Sequence, residues 1–197
     1  MEKIVTTLTT EALFSEDGSK RFLLRKSWDD TKPKLAIVMM APSIASGISI
    51  DSTTQLTLNN CDRLGYGSVS IVNLFATLND FSLKQAEYED PENMDVIVQQ
   101  AQDADLIVYG PGVGKLKSKP FLLRQEQVLT ALLPFEAKLH CLCDENGEAR
   151  LQHPLSPAVR TWNLSPLKVS ELISLPQTEQ EPKKKAKGKQ PKDAEAK

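Results

Sequence analysis

The sequence has 197 residues, 40% of them hydrophobic and 25% charged, a balance typical of one globular domain with a substantial core. No stretch approaches the roughly 20 consecutive apolar residues of a membrane-spanning helix, so we expect a soluble protein. The formal net charge of -2 is uneven, because the segment from Pro176 onward contains seven lysines and four acidic residues. The remainder is mildly acidic, which argues against a broad nucleic-acid-binding face.

The apolar patterns predict strands that alternate with helices. In chain order they predict a β-hairpin over residues 11–28, strands over 35–40, 69–74, 106–109 and 139–143, and helices that begin at Asp51, at Pro91 and near Pro120. Such alternation implies right-handed crossovers. We therefore predict a single three-layer α/β domain with a mostly parallel central sheet and the hairpin at its edge. Ligands bind such sheets beyond the carboxyl ends of the strands.

The C-terminal segment, residues 176–197, is rich in Lys, Glu, Gln and Pro and has no large apolar residue. This composition predicts a disordered tail that follows a domain at residues 1–175. The three cysteines are an odd number in a chain too long to need cross-links, so we expect reduced thiols. The N-terminal residues lack the pattern of a secretory signal, which together with the thiols predicts a cytoplasmic protein.

Asn73 is the most informative single residue, because it interrupts an apolar strand at its carboxyl end. A buried amide must be hydrogen-bonded either to loop backbone or to a ligand edge that matches its donor and acceptor. Both interpretations remain open, and we count Asn73 among the ligand-binding candidates.

Asp51 opens the first predicted helix and is followed by Thr53 in its first turn. A carboxylate in this position accepts hydrogen bonds from the free N–H groups of the helix start, which stabilises the helix by about 1 kcal/mol. It can also act as a base or orient a ligand hydroxyl. We therefore predict Asp51 as a catalytic residue and Thr53 as a ligand-binding residue. Ser43 follows a proline without the Gly-x-Ser-x-Gly elbow of a nucleophile, so it is a ligand-binding candidate.

Two later loops add further candidates. Residues 110–115 form a glycine-rich turn that suggests a phosphate cradle with Gly110 and Lys115, but its spacing matches neither a P-loop nor a dinucleotide fingerprint. A tight turn that approaches a neighbour or a ligand is therefore favoured. His153 lies in a proline-containing loop and is a candidate catalytic proton donor, with a surface histidine as the alternative.

A zinc site is the weaker interpretation of the segment that contains Cys141 and Cys143. Side chains alternate along a strand, so His140 points away from the two cysteines and at most three ligands converge with His153. Buried reduced thiols are favoured. We predict no metal and no cofactor.

Six short motifs follow one another with a distinctive order and spacing: Arg21-Phe22-Leu23-Leu24, Ala41-Pro42-Ser43, Asp51-Ser52-Thr53, Val72-Asn73-Leu74-Phe75-Ala76, Tyr109-Gly110 and His153-Pro154-Leu155. In these motifs the chain resembles the bacterial and phage family known as domain of unknown function 1643. The family usually has asparagine where this chain has Ala41 and tryptophan where it has Tyr109. The resemblance implies the fold and the position of the site, but no chemistry.

A looser resemblance, in architecture and short motifs, is to the uracil-DNA glycosylase superfamily. Those enzymes have a proline loop after the first core strand, an asparagine that reads a base edge, and a late His-Pro loop, in the order of Pro42, Asn73 and His153 here. This resemblance implies that Asn73 reads a base and that His153 stabilises the departing base anion. Ala41 stands where those enzymes carry an acidic or amide residue, which counts against glycosylase activity.

The sequence therefore predicts a strand-end pocket for a small molecule or nucleobase, as part of an enzyme that acts on a nucleobase, nucleotide or nucleic acid. A non-catalytic ligand-binding or regulatory module is the alternative, and Ala41 favours it. A third hypothesis is a scaffold whose lysine-rich tail contacts nucleic acid. No membrane partner is expected.

Overall fold

The computed structural model describes residues 1–43, 47–78, 82, 90–112, 118–148 and 150–173. The strands are β1 (Thr9–Phe14), β2 (Arg21–Ser27), β3 (Lys34–Met39), β4 (Ser68–Asn73), β5 (Leu106–Tyr109), β6 (Leu139–Cys143) and β7 (Asn163–Pro166). The helices are α1 (Ser52–Arg63), α2 (Pro91–Asp103), α3 (Lys119–Leu132) and α4 (Val169–Ile173), with short 3-10 helices at Leu133–Lys138 and Pro157–Val159. The predicted tail at 176–197 and the candidate Lys115 lie outside the described residues.

The sheet is mixed, so the prediction of a mostly parallel sheet is wrong. Its order is β1-β2-β4-β3-β5-β6-β7. Among the described residues the four central strands are parallel, but three of the six strand pairs are antiparallel, and an isolated antiparallel bridge joins Lys20 to Thr77. The sheet is mixed because antiparallel strands flank the parallel ones on both sides. On one side β2 pairs antiparallel with β4, and on the other β7 pairs antiparallel with β6.

Helices cover both faces of the sheet, in agreement with the predicted three layers. The α1 face buries one cluster, which includes Leu24, Ile37, Cys61, Ile71, Val108 and Trp162. The α2 and α3 face buries a second cluster, which includes Val38, Val72, Ile97, Ile107, Phe121 and Val128. The central strand β3 contributes to both clusters in alternation, because successive side chains point to opposite faces. A continuous apolar run such as residues 35–39 is typical of a strand buried on both sides.

The strand order places a topological switch point, where a crevice is expected, at the carboxyl ends of β3 and β5. The connection from β3 runs through α1 on one face, whereas the connection from β5 runs through α3 on the other. The loops after Met39 and Tyr109 therefore diverge, and ligands of α/β proteins bind where neighbouring loops part in this way.

Among the described helices, none combines the length and the apolar character needed to cross a lipid bilayer.

Candidate functional site

Asp51 forms the N-cap of α1 at the edge of the crevice. Its Oδ1 accepts a hydrogen bond of 2.7 Å from the backbone N–H of Thr54, and the hydroxyl of Ser43 also donates to its carboxylate. Thr53 is half-buried in the first turn, where its carbonyl accepts a hydrogen bond of 2.8 Å from the Thr57 hydroxyl. The cap thus ties the start of α1 to the loop that contains Ser43.

Arg21 is a residue of this site that the sequence did not identify as a candidate. Its side chain is 2% exposed, and its Nη1 donates to the carbonyl of Ser43 at 3.2 Å. The antiparallel direction of β2 places this first residue of the strand at the carboxyl ends of β3 and β4. The only signal in the sequence is a charged residue next to an apolar strand, a pattern that is usually solvent-exposed.

Arg21 and Asp51 favour each other's charged forms. Burial opposes ionisation of Asp51, but the hydrogen bonds from Ser43 and Thr54 and the charge of Arg21 together lower its pKa. Burial lowers the pKa of Arg21, and the charge of Asp51 partly restores it. A carboxylate with a lowered pKa is a weak base, so this environment suits orientation of a ligand better than proton abstraction.

His153 lies close enough to the same carboxylate for the charge of Asp51 to act on its ring. Its Nδ1 accepts a hydrogen bond of 3.2 Å from the N–H of Leu155, which assigns the proton of the neutral ring to Nε2. Burial lowers the pKa of His153, and the charge of Asp51 opposes this shift only in part. The ring is therefore neutral at pH 7 and offers Nε2–H as a hydrogen-bond donor.

The glycine turn after β5 makes room for the His153 loop. A Cβ on Gly110 would lie 3.2 Å from the carbonyl oxygen of Gln152, and a Cβ on Gly112 would lie 3.1 Å from the Cβ of His153. Gly112 also has a φ of +86°, which L side chains rarely adopt. The described part of this turn therefore supports the predicted close backbone approach to a neighbour.

Replacement of Gly112 by alanine is expected to move His153. The left-handed φ costs about 1–2 kcal/mol for an L residue, and the contact with His153 adds overpacking of about 1–3 kcal/mol. Gly147 is the matched control, because its φ is +76° and a Cβ added there would meet nothing within 4 Å. Urea unfolding should show a larger loss for Gly112→Ala than for Gly147→Ala, and only Gly112→Ala should shift the imidazole NMR signals. Equal losses with unchanged signals would contradict this role.

Asn73 carries the least satisfied buried side chain of the site. It is 1% exposed, and neither its Nδ2 nor its Oδ1 has a hydrogen-bond partner among the described residues. Within the part of the chain that the structure describes, no other buried side chain leaves both a donor and an acceptor without partners. Since Val69 and Ile71 of β4 pack in the α1 cluster, strand alternation places Asn73 on the α1 face. The alternative interpretation requires a hydrogen bond from this amide to loop backbone, and the described residues form no such bond.

The structure thus brings most of the predicted residues to one edge of the sheet. Contacts and charges join Arg21, Ser43, Asp51 and His153, with Gly110 against the His153 loop. Asn73 pairs with Met39 at the end of the adjacent strand, on the same face as α1.

The cysteines are buried free thiols away from any described ligand cluster. Cys141 accepts a hydrogen bond of 3.5 Å from Arg150 Nε, and Cys143 donates one of 3.4 Å to the carbonyl of Asn163. No group of three His, Cys, Asp or Glu side chains within the described ranges is arranged to hold a metal ion.

A cavity of about 160 Å³ lies at the opposite end of the central strands, near the first residues of β3 and β4. Its lining includes Arg25, Ser70 and Gln100, and the guanidinium of Arg25 already donates to both others at 3.2 and 2.7 Å. The side chains of Arg25, Ser70 and Gln100 thus satisfy each other, so this cavity is a weaker candidate than the strand-end crevice.

A comparison with protein families matches residues 21–155 to the model described as protein of unknown function (DUF1643). The chain belongs to the DUF1643 family. The matched DUF1643 region includes every residue of the site from Arg21 to His153. No curated protein and no solved structure matches the chain significantly.

Proposed function

We propose that this DUF1643 protein binds a nucleobase or a nucleobase-bearing molecule in the strand-end crevice and acts on it as an enzyme. The observation that carries the proposal is the Asn73 amide, which is buried and has neither its donor nor its acceptor paired. An unpaired buried amide costs about 1–3 kcal/mol, which a ligand would recover. A planar edge with a donor beside an acceptor is the complement of this amide, and nucleobases present such edges.

The other side chains supply the chemistry that this proposal requires. Neutral His153 donates Nε2–H to an atom on which negative charge develops, so no proton needs to be transferred for the interaction to strengthen. Asp51 remains ionised and orients a ligand hydroxyl or a water molecule. Ser43 and Arg21 fix the position of that carboxylate. The three free thiols support a cytoplasmic setting for this activity.

A non-catalytic binding module is the second candidate. Ala41 is half-buried in the loop after β3 and contributes only a methyl group at the position where relatives usually have asparagine. The same pocket then recognises a base without converting it. The two candidates differ in turnover of the bound ligand, not in dependence on Asn73.

The test is a thermal-shift screen of nucleobases, nucleosides, nucleotides and short oligonucleotides, followed by calorimetry. A ligand at 100 times its Kd stabilises the folded state by about 2.7 kcal/mol. Truncation before Pro176 removes the basic tail, so a ligand of the pocket should still bind the truncated chain. If no base-bearing compound shifts the melting temperature of either chain at millimolar concentration, the proposal is wrong.

Exchange of Asn73 for aspartate gives the proposal its sharpest selectivity test. Burial raises the pKa of a carboxyl at this position, so the titration is made at a pH at which the carboxyl is ionised. The ionised group only accepts hydrogen bonds, so the variant should lose bases that present an acceptor and favour bases that present an amino group. A bidentate contact discriminates by about 1–3 kcal/mol, which corresponds to a change of about 5- to 150-fold in relative affinity. Calorimetric titration of uracil and cytosine compounds against both proteins measures this change. Unaltered relative affinities would exclude Asn73 from base recognition.

A further inference from the structure

Three hydrogen bonds from the far side of the sheet converge on the backbone that carries Asn73. Asn93 Nδ2, on α2, donates to the carbonyls of Asn73 and Leu74 at 3.0 and 3.2 Å. Arg124 Nε, on α3, donates to the carbonyl of Leu74 at 2.7 Å. Two helices therefore hold the last peptide groups of β4.

These donors are themselves fixed. The side chain of Asn93 is 0% exposed, and its backbone N–H donates to Asp90 Oδ1 at 3.1 Å. The other oxygen of Asp90 forms an ion pair of 3.1 Å with Lys20 Nζ, and the charge of Asp90 also favours the charged form of Arg124 against the effect of burial. A connected polar network thus links the start of β2, α2 and α3 to the end of β4.

The opposite side of the same backbone is held by the neighbouring strand. The N–H groups of Leu74 and Phe75 donate to the carbonyls of Met39 and Met40 at 2.8 and 3.0 Å. The peptide groups that follow Asn73 therefore have little freedom, although the Asn73 side chain has no partner of its own. A binding group without internal partners keeps its orientation only if the surrounding structure fixes it.

We propose that Asn93 and Arg124 are positioning residues that hold the Asn73 amide in one orientation in the empty site. The role of these residues in ligand binding rests on the proposed function, because the fixed amide is then preorganised for a ligand. The fixed orientation itself is a property of the ligand-free protein and can be tested there. It predicts that loss of either donor releases the Asn73 side chain while the sheet stays folded.

The experiment measures the order parameter and hydrogen exchange of the Asn73 side-chain NH₂ by ¹⁵N NMR in the full, ligand-free chain. The signal is assigned by its loss in Asn73→Leu. We expect an order parameter near 0.85 in the natural sequence and below about 0.6 in Asn93→Ala. Arg124→Lys keeps the charge but removes the planar Nε donor, and it should show the same direction of change. If Asn93→Ala does not fold, the same measurement on Arg124→Lys decides the question.

Asn60 provides the matched control on the other face. Its Nδ2 also donates to two carbonyls, those of Leu56 and Arg160, at 2.9 and 3.0 Å, and its side chain is 4% exposed. Asn60→Ala should lower stability without any change in the Asn73 signal. An order parameter that stays high in Asn93→Ala and in Arg124→Lys, or that falls equally in Asn60→Ala, would overturn the assignment.

Ligand binding separates this inference from the proposed function. If a base-bearing ligand binds, Asn93→Ala should weaken its binding at least about tenfold, as expected when a binding group loses its preorganisation. If no base binds but the Asn73 amide is rigid and is released by both variants, the positioning role stands and the proposed function fails.

Discussion

Replacement of Asn73 by leucine is expected to stabilise the empty protein and to abolish ligand binding. The buried amide has no partner, and an unsatisfied donor or acceptor costs about 1–3 kcal/mol. Leucine has nearly the same branching, and the α1 cluster on that face consists of apolar side chains such as Leu24, Ile37 and Ile71. In a domain of this size each kcal/mol raises Tm by about 2–4 °C, so calorimetry should resolve the gain.

Binding should change in the opposite direction. Leucine neither donates nor accepts, so a base edge placed against it would lose two hydrogen bonds and leave its own polar atoms buried. We expect affinity to fall by at least about 100-fold in calorimetric titration.

Asn60→Leu is the matched control for the effect on stability, because the Asn60 amide is fully bonded and its Oδ1 accepts from the N–H of Trp162 at 2.9 Å. That variant should be destabilised. If Asn73→Leu were destabilised to the same extent, Asn73 would be a structural anchor and the proposed base recognition would lose its support.

The regular part of the fold was predictable because strong local patterns produced it. Residues 35–39 are a continuous apolar run, and residues 69–72 are apolar except for Ser70; segments of this kind form strands buried on both faces. Asp51 was predictable as a cap because the N-cap preference acts within one turn. The strand β7 (Asn163–Pro166) was not predicted, because a short polar edge strand is defined by its pairing with β6 and has no pattern of its own.

The candidate site was predictable only where a residue contradicts its surroundings. Asn73 is an amide within an apolar strand, and that contrast is visible in the sequence. Arg21, Asn93 and Arg124 are equally buried, but each lies where a polar residue is normally exposed. Their role depends on carbonyls that the fold brings near them, which are 19 to 50 positions away along the chain. The role of Gly112 similarly depends on the return of the His153 loop, and local spacing does not encode that contact.

Titration of His153 is expected to show a pKa below its ordinary value and a neutral ring protonated at Nε2. Burial disfavours the charged ring more than Asp51 favours it. The chain has two histidines, so His140→Gln leaves a single imidazole to follow by NMR. Asp51→Asn should lower this pKa further, because asparagine removes the charge and caps a helix as well as aspartate does. A pKa that is unchanged in Asp51→Asn would show that the two side chains do not interact.

The same shift predicts how stability depends on pH. Since the folded-state pKa of His153 is the lower one, the unfolded chain binds more protons below about pH 6.5, and stability should decline as the pH falls through that range. His153→Gln should remove this decline. Asp51 contributes to stability over a different pH range. Because its folded-state pKa is lowered, this contribution is present above about pH 4 and is lost as the pH falls below that value. Urea unfolding at pH 7, 6, 5, 4 and 3 separates the two groups, because the contribution of His153 changes in the upper part of this range and that of Asp51 only below pH 4.

His153→Ala then distinguishes an enzyme from a binding module. A donor that strengthens its bond as charge develops lowers the barrier without tightening the ground state. We expect turnover of a base-bearing substrate to fall by about 10²- to 10⁴-fold in His153→Ala while its Kd stays within about threefold. Equal losses of turnover and affinity would make His153 a ligand-binding residue, and the pocket would then serve recognition alone.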